Sequence, residues 1–472
     1  MKWHQKFVVL TCIAALCLAA SRANAALNFT TLISFNGTNG ANPACNLVEG
    51  PNGNFYGTAP NGGAYSNGAV FEISSDGSFF TDLYSFTGGT NGSGPVGALI
   101  PSANGLVFYG TTFGGGASNC GTIYQISSLK GAFTQLGSLS GTNGANPIVA
   151  LALGTNGTLY GAAKYGGAFT NVTSGGGGYG TVFQISTSGG SLTNPVLFAD
   201  TNGANPSALI MGSDGNFYGT TAWGGNVGSF KLGFGTVFRL GQDGTFTDLH
   251  NLNGGSDGGF PYANLLQASD GNFYGCTFNG GAYSGGDIFQ VTPQGQFRNL
   301  YSFTGGLDGA FPYSALVQGS DGNLYGTTYS YGANGDGAIF QISTNGNLTP
   351  LVNFTGTTGI ALGVNPEGSL VQGTDGNFYG TTYYGGTYNQ GTVFQLSLPL
   401  PPVFTSVSAV GGTVTLIWSA VATQTYQLQC TTNLAQPNWT DLGSAVVATN
   451  GTMTATNSVG SDLQRFYQVV VQ

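Results

Sequence analysis

The chain has 472 residues, of which only 6% are charged, and its formal net charge is −9 at pH 7. This balance argues against nucleic acid as a partner, because phosphate recognition needs clustered basic residues and the whole chain has only 9 Lys and Arg. The 83 glycines indicate many tight turns, whereas 23 Tyr and 32 Phe argue against disorder, since disordered chains are poor in aromatic residues. The composition therefore predicts a packed β-protein.

The first 25 residues have the pattern of an export signal. A positively charged start precedes an apolar run over 7–20, and Ala23-Asn24-Ala25 forms a cleavage motif before Ala26. An uncleaved membrane anchor is the alternative, and a lipoprotein is disfavoured because no cysteine stands in a lipobox. No later stretch reaches the roughly 18 apolar residues of a membrane span. We therefore expect an exported protein, extracellular or periplasmic, with no transmembrane segment in its mature chain.

A unit of about 50 residues recurs seven times and is marked by a Tyr-Gly pair. The pairs begin at Tyr56, Tyr109, Tyr160, Tyr218, Tyr274, Tyr325 and Tyr379. Each unit has the pattern of four strands, a to d: an Asn-Gly or Asp-Gly hairpin turn precedes the Tyr-Gly strand b, and a Gly-rich loop leads to a strand c such as GTVFQ. Repeated four-stranded units predict an all-β fold, a seven-bladed β-propeller over 26–398.

The ends of the repeat array favour a closed ring over a linear β-solenoid, which is the alternative. A lone strand over 29–35 precedes the first complete unit, and the seventh unit stops at Ser397 without its strand d. We therefore predict that the N-terminal strand completes the last blade.

Loop lengths distinguish the two faces of this ring. The b–c loops and the d–a connections vary in length, whereas the a–b and c–d turns are uniform. In a four-stranded blade the variable loops share one side, here called the upper face, and variable loops on a rigid scaffold are where function usually lies. The longest b–c insertions fall in the third and fourth units.

The repeats give way to a Pro-rich linker over 399–402 and a segment over 403–472 with alternating apolar and polar residues. Trp418, Tyr426 and Tyr467 stand where a small β-sandwich places core aromatics, and the segment resembles fibronectin type III or immunoglobulin-like modules of secreted bacterial proteins. We expect this segment to act as a spacer rather than as a binding module.

The unit LVQGTDGNFYGTTYYGG, which begins at Leu370, together with GTVFQ resembles the Gloeo-Verruco (GloVer) tandem repeat of choice-of-anchor bacterial surface proteins. The resemblance runs through all seven units and implies an exported protein, but it brings no catalytic residues. Members of that family often end in an anchoring segment, whereas this chain ends on RFYQVVVQ. We therefore expect free secretion or periplasmic residence rather than attachment to the cell surface.

No catalytic constellation stands out, and we expect a binding protein before an enzyme. His250 is the only His beyond the signal; it has no partner at a useful spacing, so we interpret it as structural. The cysteines beyond the signal lack the paired spacings of a disulfide framework or zinc site, so we expect small buried residues, with a Cys45–Cys120 bridge as the alternative. These cysteines are Cys45, Cys120, Cys276 and Cys430.

Half of the acidic residues are Asp directly before Gly, and a turn role explains most of them. Three of these, Asp257, Asp308 and Asp336, fall in upper-face loops, and Asp200, Asp287 and Glu367 are further acids near that face. Oxygen ligands suit calcium, and paired acids suit a glycosidase, so these residues are weak candidates for a calcium site or a catalytic pair. No other cofactor is expected.

Aromatic residues follow strand b in six of the seven units, and Pro60 interrupts the series in the first. They are Phe113, Tyr165, Trp223, Phe278, Tyr329, Tyr383 and Tyr384. One interpretation is that these rings fill gaps between blades. The other is an exposed rim that stacks on sugars, with Lys164 and Lys231 beside the two long insertions.

Three functional hypotheses remain from the sequence. The first is a secreted, non-enzymatic binding or scaffold protein whose partner is an extracellular glycan or a surface protein. The second is a glycan-active hydrolase or lyase that uses upper-face carboxylates. The third is a surface-layer or adhesion component.

Overall fold

The computed structural model describes residues 27–129, 131–167, 177–225, 233–398, 402, 404–410, 412–420, 425–433, 438–449, 451–458 and 465–471. The export signal over 1–25, the cleavage site before Ala26, residues 399–401 of the linker and Lys231 lie outside these ranges. Two compact units divide the chain, one of Phe29–Leu396 and one that contains Ser397–Gln472. The expected domain bounds at 26, 398 and 403 stay predictions.

The first unit consists of seven consecutive antiparallel sheets, here called blades 1 to 7. An N-terminal strand, β1 (Asn28–Ser34), precedes blade 1, which contains β2 (Val48–Glu49), β3 (Phe55–Ala59), β4 (Ala69–Ile73) and β5 (Phe80–Ser85). Blade 2 contains β6 (Ile100–Pro101), β7 (Val107–Thr112), β8 (Thr122–Ser127) and β9 (Phe133–Ser138). Blade 3 contains β10 (Ala145–Pro147), β11 (Ala152–Leu153), β12 (Thr158–Tyr165), β13 (Thr181–Ser186) and β14 (Thr193–Leu197).

The remaining blades follow the same order. Blade 4 contains β15 (Ala204–Met211), β16 (Phe217–Trp223), β17 (Thr236–Leu240) and β18 (Phe246–Asn251). Blade 5 contains β19 (Leu266–Gln267), β20 (Phe273–Thr277), β21 (Asp287–Val291) and β22 (Phe297–Ser302). Blade 6 contains β23 (Val317–Gln318), β24 (Leu324–Thr328), β25 (Ala338–Ile342) and β26 (Leu348–Asn353), and blade 7 contains β27 (Val371–Gln372), β28 (Phe378–Thr382) and β29 (Thr392–Ser397).

The N-terminal strand completes blade 7, in the order β1-β29-β28-β27. The Phe35 amide donates to the Gly391 carbonyl at 2.9 Å, and the Phe29 ring stacks on Phe394 with centroids 5.1 Å apart. Residues from all seven blades line one cavity, which requires a radial arrangement. The fold is therefore all-β and a β-propeller, as predicted, and the sheet count is consistent with seven blades.

The contacts of each residue explain why every blade has a Tyr-Gly pair. Gly380 pairs with Phe394 across β28 and β29, and a Cβ on Gly380 would lie 2.5 Å from Phe394 Cζ, so the ring occupies the space of a side chain. The Tyr379 hydroxyl donates to Asp375 Oδ2 in the preceding turn at 2.6 Å and accepts from Gln395 Nε2 at 2.8 Å. The same turn-to-tyrosine bond joins Asp214 to Tyr218, Asp270 to Tyr274 and Asp321 to Tyr325.

The second unit contains two sheets with a common core. One consists of β30 (Phe404–Val410), β31 (Thr413–Ser419) and β35 (Thr452–Ser458); the other consists of β32 (Thr425–Thr431), β33 (Thr440–Asp441), β34 (Val446–Val447) and β36 (Phe466–Val471). Trp418 and Tyr426 are buried between them, and Tyr467 packs against this core. The fibronectin type III assignment stays a prediction. No helix within the described ranges has the length and hydropathy to cross a membrane.

Candidate functional site

The upper-face aromatics differ in exposure. Phe113 and Tyr384 are 40% and 41% exposed. The other rings from the sequence prediction are half-buried, namely Tyr165, Trp223, Phe278, Tyr329 and Tyr383. Neither sequence interpretation therefore describes the whole set: most of these rings pack partly against neighbours and keep some exposed surface.

A residue with positive φ precedes the proline of most d–a connections. It is Asn in four of them, at Asn42, Asn146, Asn205 and Asn365, with φ between 52° and 56°. The Asn side chain also links blades: Asn42 Nδ2 donates to the Tyr383 carbonyl at 3.0 Å, and Asn365 Nδ2 donates to the Tyr329 carbonyl at 2.8 Å. Asparagine suits this position because it tolerates the left-handed region and supplies the bond.

Phenylalanine takes that position at the entrances to blades 5 and 6. Phe260 and Phe311 have φ of 58° and 61°, which is an outlier conformation for a bulky side chain. The Phe260 ring lies 4.5 Å from Trp223, and the Phe311 ring stacks on Phe278 at 5.1 Å. Backbone strain kept at a surface where rings gather is typical of a functional site.

The next inward position, after the proline, carries tyrosine in the same two connections. Tyr262 lies 5.4 Å from Tyr313 and 5.5 Å from Phe278, and Tyr313 lies 6.0 Å from Tyr329, measured between ring centroids. Tyr331, 48% exposed, contacts Phe311 at 5.6 Å. We call these rings of blades 4 to 6 the aromatic arc: Trp223, Phe234, Phe260, Tyr262, Phe278, Phe311, Tyr313, Tyr329 and Tyr331.

The structure brings only part of the predicted site together. Trp223, Phe278 and Tyr329 belong to the arc. Tyr165 borders the arc, because it contributes after burial to the raised pKa of Tyr262. Lys164 Nζ lies 5.3 Å from the centre of the Tyr165 ring. Tyr383 and Tyr384 contact each other at 4.7 Å. Phe113 belongs to blade 2, where its carbonyl accepts a bond from Asn146.

Sequence reasoning followed the first aromatic of each b–c loop, so it missed the four arc members of the d–a connections as well as Tyr331, which lies further along a b–c loop. Phe260, Tyr262, Phe311 and Tyr313 lie in d–a connections, within the tripeptide Phe-Pro-Tyr that occurs at 260–262 and 311–313. Four of the other connections have Asn-Pro and one has Gly94-Pro95, so the Phe-Pro of these two units is the signal that could have identified them.

The arc borders a central cavity of about 80 Å³. Tyr262, Tyr313 and Glu367 line one side, and Ala44, Val96 and Ile148 are among the residues on the other. Burial raises the pKa of Glu367 to about 7, and burial followed by Glu367 raises that of Tyr313. Glu367 is thus an upper-face acid beside two tyrosines, in a cavity that Asn46, Asn264 and three serines also line.

Two of the three metal candidates are engaged in their own loops. Asp257 accepts from the Asn253 amide at 2.9 Å, and Asp308 accepts from the Thr304 and Gly306 amides at 2.8 and 3.0 Å. Burial raises the pKa of Asp336. Within the described ranges, no three His, Cys, Asp or Glu side chains converge as metal ligands. The calcium hypothesis therefore gains no support from these residues.

The structure gives His250 a partner that its sequence spacing did not indicate, and it leaves the cysteines unbridged. His250 has a partner: its Nε2 lies 2.9 Å from Asp257 Oδ2, and its ring stacks on Phe297 at 4.0 Å. Cys45 and Cys120 are both free thiols, so the alternative of a disulfide bond between them is wrong. Cys45 and Cys276 are buried as expected, whereas Cys120 and Cys430 are only half-buried.

Comparisons with known proteins place the repeats in a family. The sequence model of a repeat described as the Gloeobacter/Verrucomicrobia repeat matches residues 21–173, 170–305 and 230–433. No curated protein matches the sequence.

Solved structures show the same fold at low identity. The extracellular domain of a B. thetaiotaomicron protein assigned as a hybrid two-component system is 14% identical with a TM-score of 0.55; the match covers 84% of this chain and 46% of that one. This chain therefore spans about half of that protein's length. An oligogalacturonate lyase from Vibrio parahaemolyticus is 10% identical with a TM-score of 0.51, over 79% of this chain and 97% of that one. Such likeness shows the fold alone.

Proposed function

We propose that this chain, which belongs to the Gloeobacter/Verrucomicrobia repeat family, is an exported, non-enzymatic binding protein that holds a glycan on the aromatic arc of its upper face. Phe260 and Phe311 carry this proposal. Both keep a strained backbone where four other connections have Asn, and both contribute a ring to a half-exposed aromatic surface. Export is supported by the family, by the extracellular-domain neighbour and by the signal pattern of the first residues.

The chemistry of the face suits a sugar. The C–H faces of a pyranose stack on aromatic rings, while neighbouring amides and hydroxyls bond its hydroxyl groups. Ligand sites commonly combine such apolar walls with a few placed polar groups. A surface with few charges also favours an uncharged ligand over a nucleotide or a phosphorylated one.

The alternative of a hydrolase has less support. Glycoside hydrolysis uses two carboxyl groups about 5–10 Å apart. Asp257 and Asp308 are bonded within their own loops, and burial alone raises the pKa of Glu367, with no second acid contributing within the described residues. The alternative of a surface-layer component would need self-association of the purified chain.

A glycan array with matched variants tests the proposed function. Phe311→Asn introduces the residue that four other units have and removes one ring, and Trp223→Ala removes a second. Since an aromatic contact contributes about 0.5–1.5 kcal/mol, each variant is expected to bind about 2- to 10-fold more weakly while it still unfolds cooperatively. Phe79→Ala is the control, because Phe79 is 47% exposed in a c–d turn on the other face. Absence of glycan binding, or equal loss in the control, contradicts the proposal.

A further inference from the structure

Glu367 is the one acid that lines the central cavity within the described residues. No Lys, Arg or His lines the cavity with it, and its carboxylate has no hydrogen-bond donor among the described residues. An unpaired carboxylate away from water is unfavourable unless a cation or a donor arrives to compensate it. Glu367 is half-buried at the cavity, so water solvates its ionised carboxylate only in part.

Several tyrosines lie near this carboxylate. Tyr313 lines the cavity with it, and Glu367 contributes to the raised pKa values of Tyr313, Tyr329 and Tyr383. Burial is the largest cause of each of these shifts, so the phenols stay neutral well above pH 7. Neutral phenol rings present negative faces, which attract cations.

The opposite wall leaves room for a ligand. The position after the proline of each d–a connection is small or aliphatic in blades 1 to 3, at Ala44, Val96 and Ile148, and becomes Tyr262, Tyr313 and Glu367 in blades 5 to 7. The cavity, at about 80 Å³, suits a small headgroup. Pockets for drug-sized molecules are larger, at about 300–1,000 Å³.

We propose that the central cavity, lined by Glu367, Tyr262 and Tyr313 with Tyr329 and Tyr383 nearby, binds an ammonium group of a quaternary or protonated amine. The rings face the cation and the carboxylate neutralises it, which is the arrangement that recognises choline-like and methylated amines. An anion would be repelled, and a neutral ligand of the same shape would leave the carboxylate unpaired. This site goes beyond the proposed function, because it requires no sugar.

Calorimetry with choline as the probe tests the site, with 3,3-dimethyl-1-butanol as its uncharged isostere. The full chain is expected to bind choline at pH 8 at least tenfold more tightly than the alcohol. Glu367→Gln is expected to weaken choline binding at least tenfold. Asp76→Asn is the matched control, since it removes the same charge from an exposed c–d turn on the other face.

The pH dependence gives a second readout. Choline keeps its charge at all pH values, and burial raises the pKa of Glu367 to about 7. Affinity should therefore rise between pH 5.5 and 8 in the wild type and stay flat in Glu367→Gln. The facing tyrosines do not titrate in this range, because their pKa values are raised.

Tyr313→Leu removes a ring while it keeps the carboxylate, and it should also weaken choline binding. Absence of choline binding to the wild type, equal binding of the alcohol, or unchanged affinity in both variants would overturn the site. Failure of glycan binding with choline binding intact would count against the proposed function alone.

Discussion

Asp287 is a buried acid at a position where several other blades have threonine. The corresponding residues are Thr122, Thr181, Thr236 and Thr392. Asp287 is fully buried, and burial is the main cause that raises its pKa to about 6. The Thr112 and Thr122 hydroxyls of blade 2 lie 2.8 Å apart, so a threonine at 287 would find the same partner in Thr277.

Replacing this acid should stabilise the protein in a pH-dependent way. In the folded protein the Asp287 carboxyl keeps its proton up to about pH 6, whereas in the unfolded chain it ionises near its ordinary pKa of 3.8. Asp287 therefore lowers the free energy of unfolding as the pH rises from about 4 to about 6. The difference amounts to about 3 kcal/mol, at roughly 1.4 kcal/mol per pKa unit. The free energy of unfolding of Asp287→Thr, measured by denaturant titration, should exceed that of the wild type by this amount at pH 8 and by little at pH 4. A difference that does not change with pH would contradict this role.

Strand b of each blade depends on a glycine that faces an aromatic ring. Besides Phe394 Cζ at 2.5 Å, a Cβ on Gly380 would meet Leu370 Cδ2 at 2.9 Å. Because both neighbours are core side chains, Gly380→Ala should lower the free energy of unfolding by about 1–3 kcal/mol. Chemical denaturation measures this loss. Gly451→Ala is the control, since no atom lies within 4 Å of its added Cβ, and equal stability of the two variants would refute the packing argument.

The elements themselves were largely predictable from sequence, whereas the contacts between elements were not. Hairpin turns and alternating strands are local signals, so the four-strand unit and the closing role of β1 could be predicted. The His250–Asp257 pair forms because a d–a connection folds back on its own strand, which no spacing rule reports. The arc likewise joins residues about 50 positions apart in the sequence, such as Tyr262 and Tyr313. The sequence pattern alone does not show that their rings lie close together in space.

Closure of the propeller turns the seven upper-face loop sets into one continuous surface. Because β1 pairs with β29, the first and last units become neighbours, and Asn42 of blade 1 bonds to Tyr383 of blade 7. Identical blades would give a symmetric face. The Phe-Pro-Tyr connections of blades 5 and 6 and Glu367 of blade 7 break that symmetry, which is why we place ligand binding on this side of the central cavity.

Hydrogen–deuterium exchange of the full chain, with and without the glycan that binds most tightly, tests this placement most directly. Slower exchange in the bound state is expected around Phe260 and Phe311, whose amides donate to the Phe234 and Gly285 carbonyls, and around Tyr329. The turns at Asp214 and Asp270 on the other face should exchange at the same rate in both states. Protection at those turns, with none at the Phe-Pro-Tyr connections, would contradict an upper-face binding site.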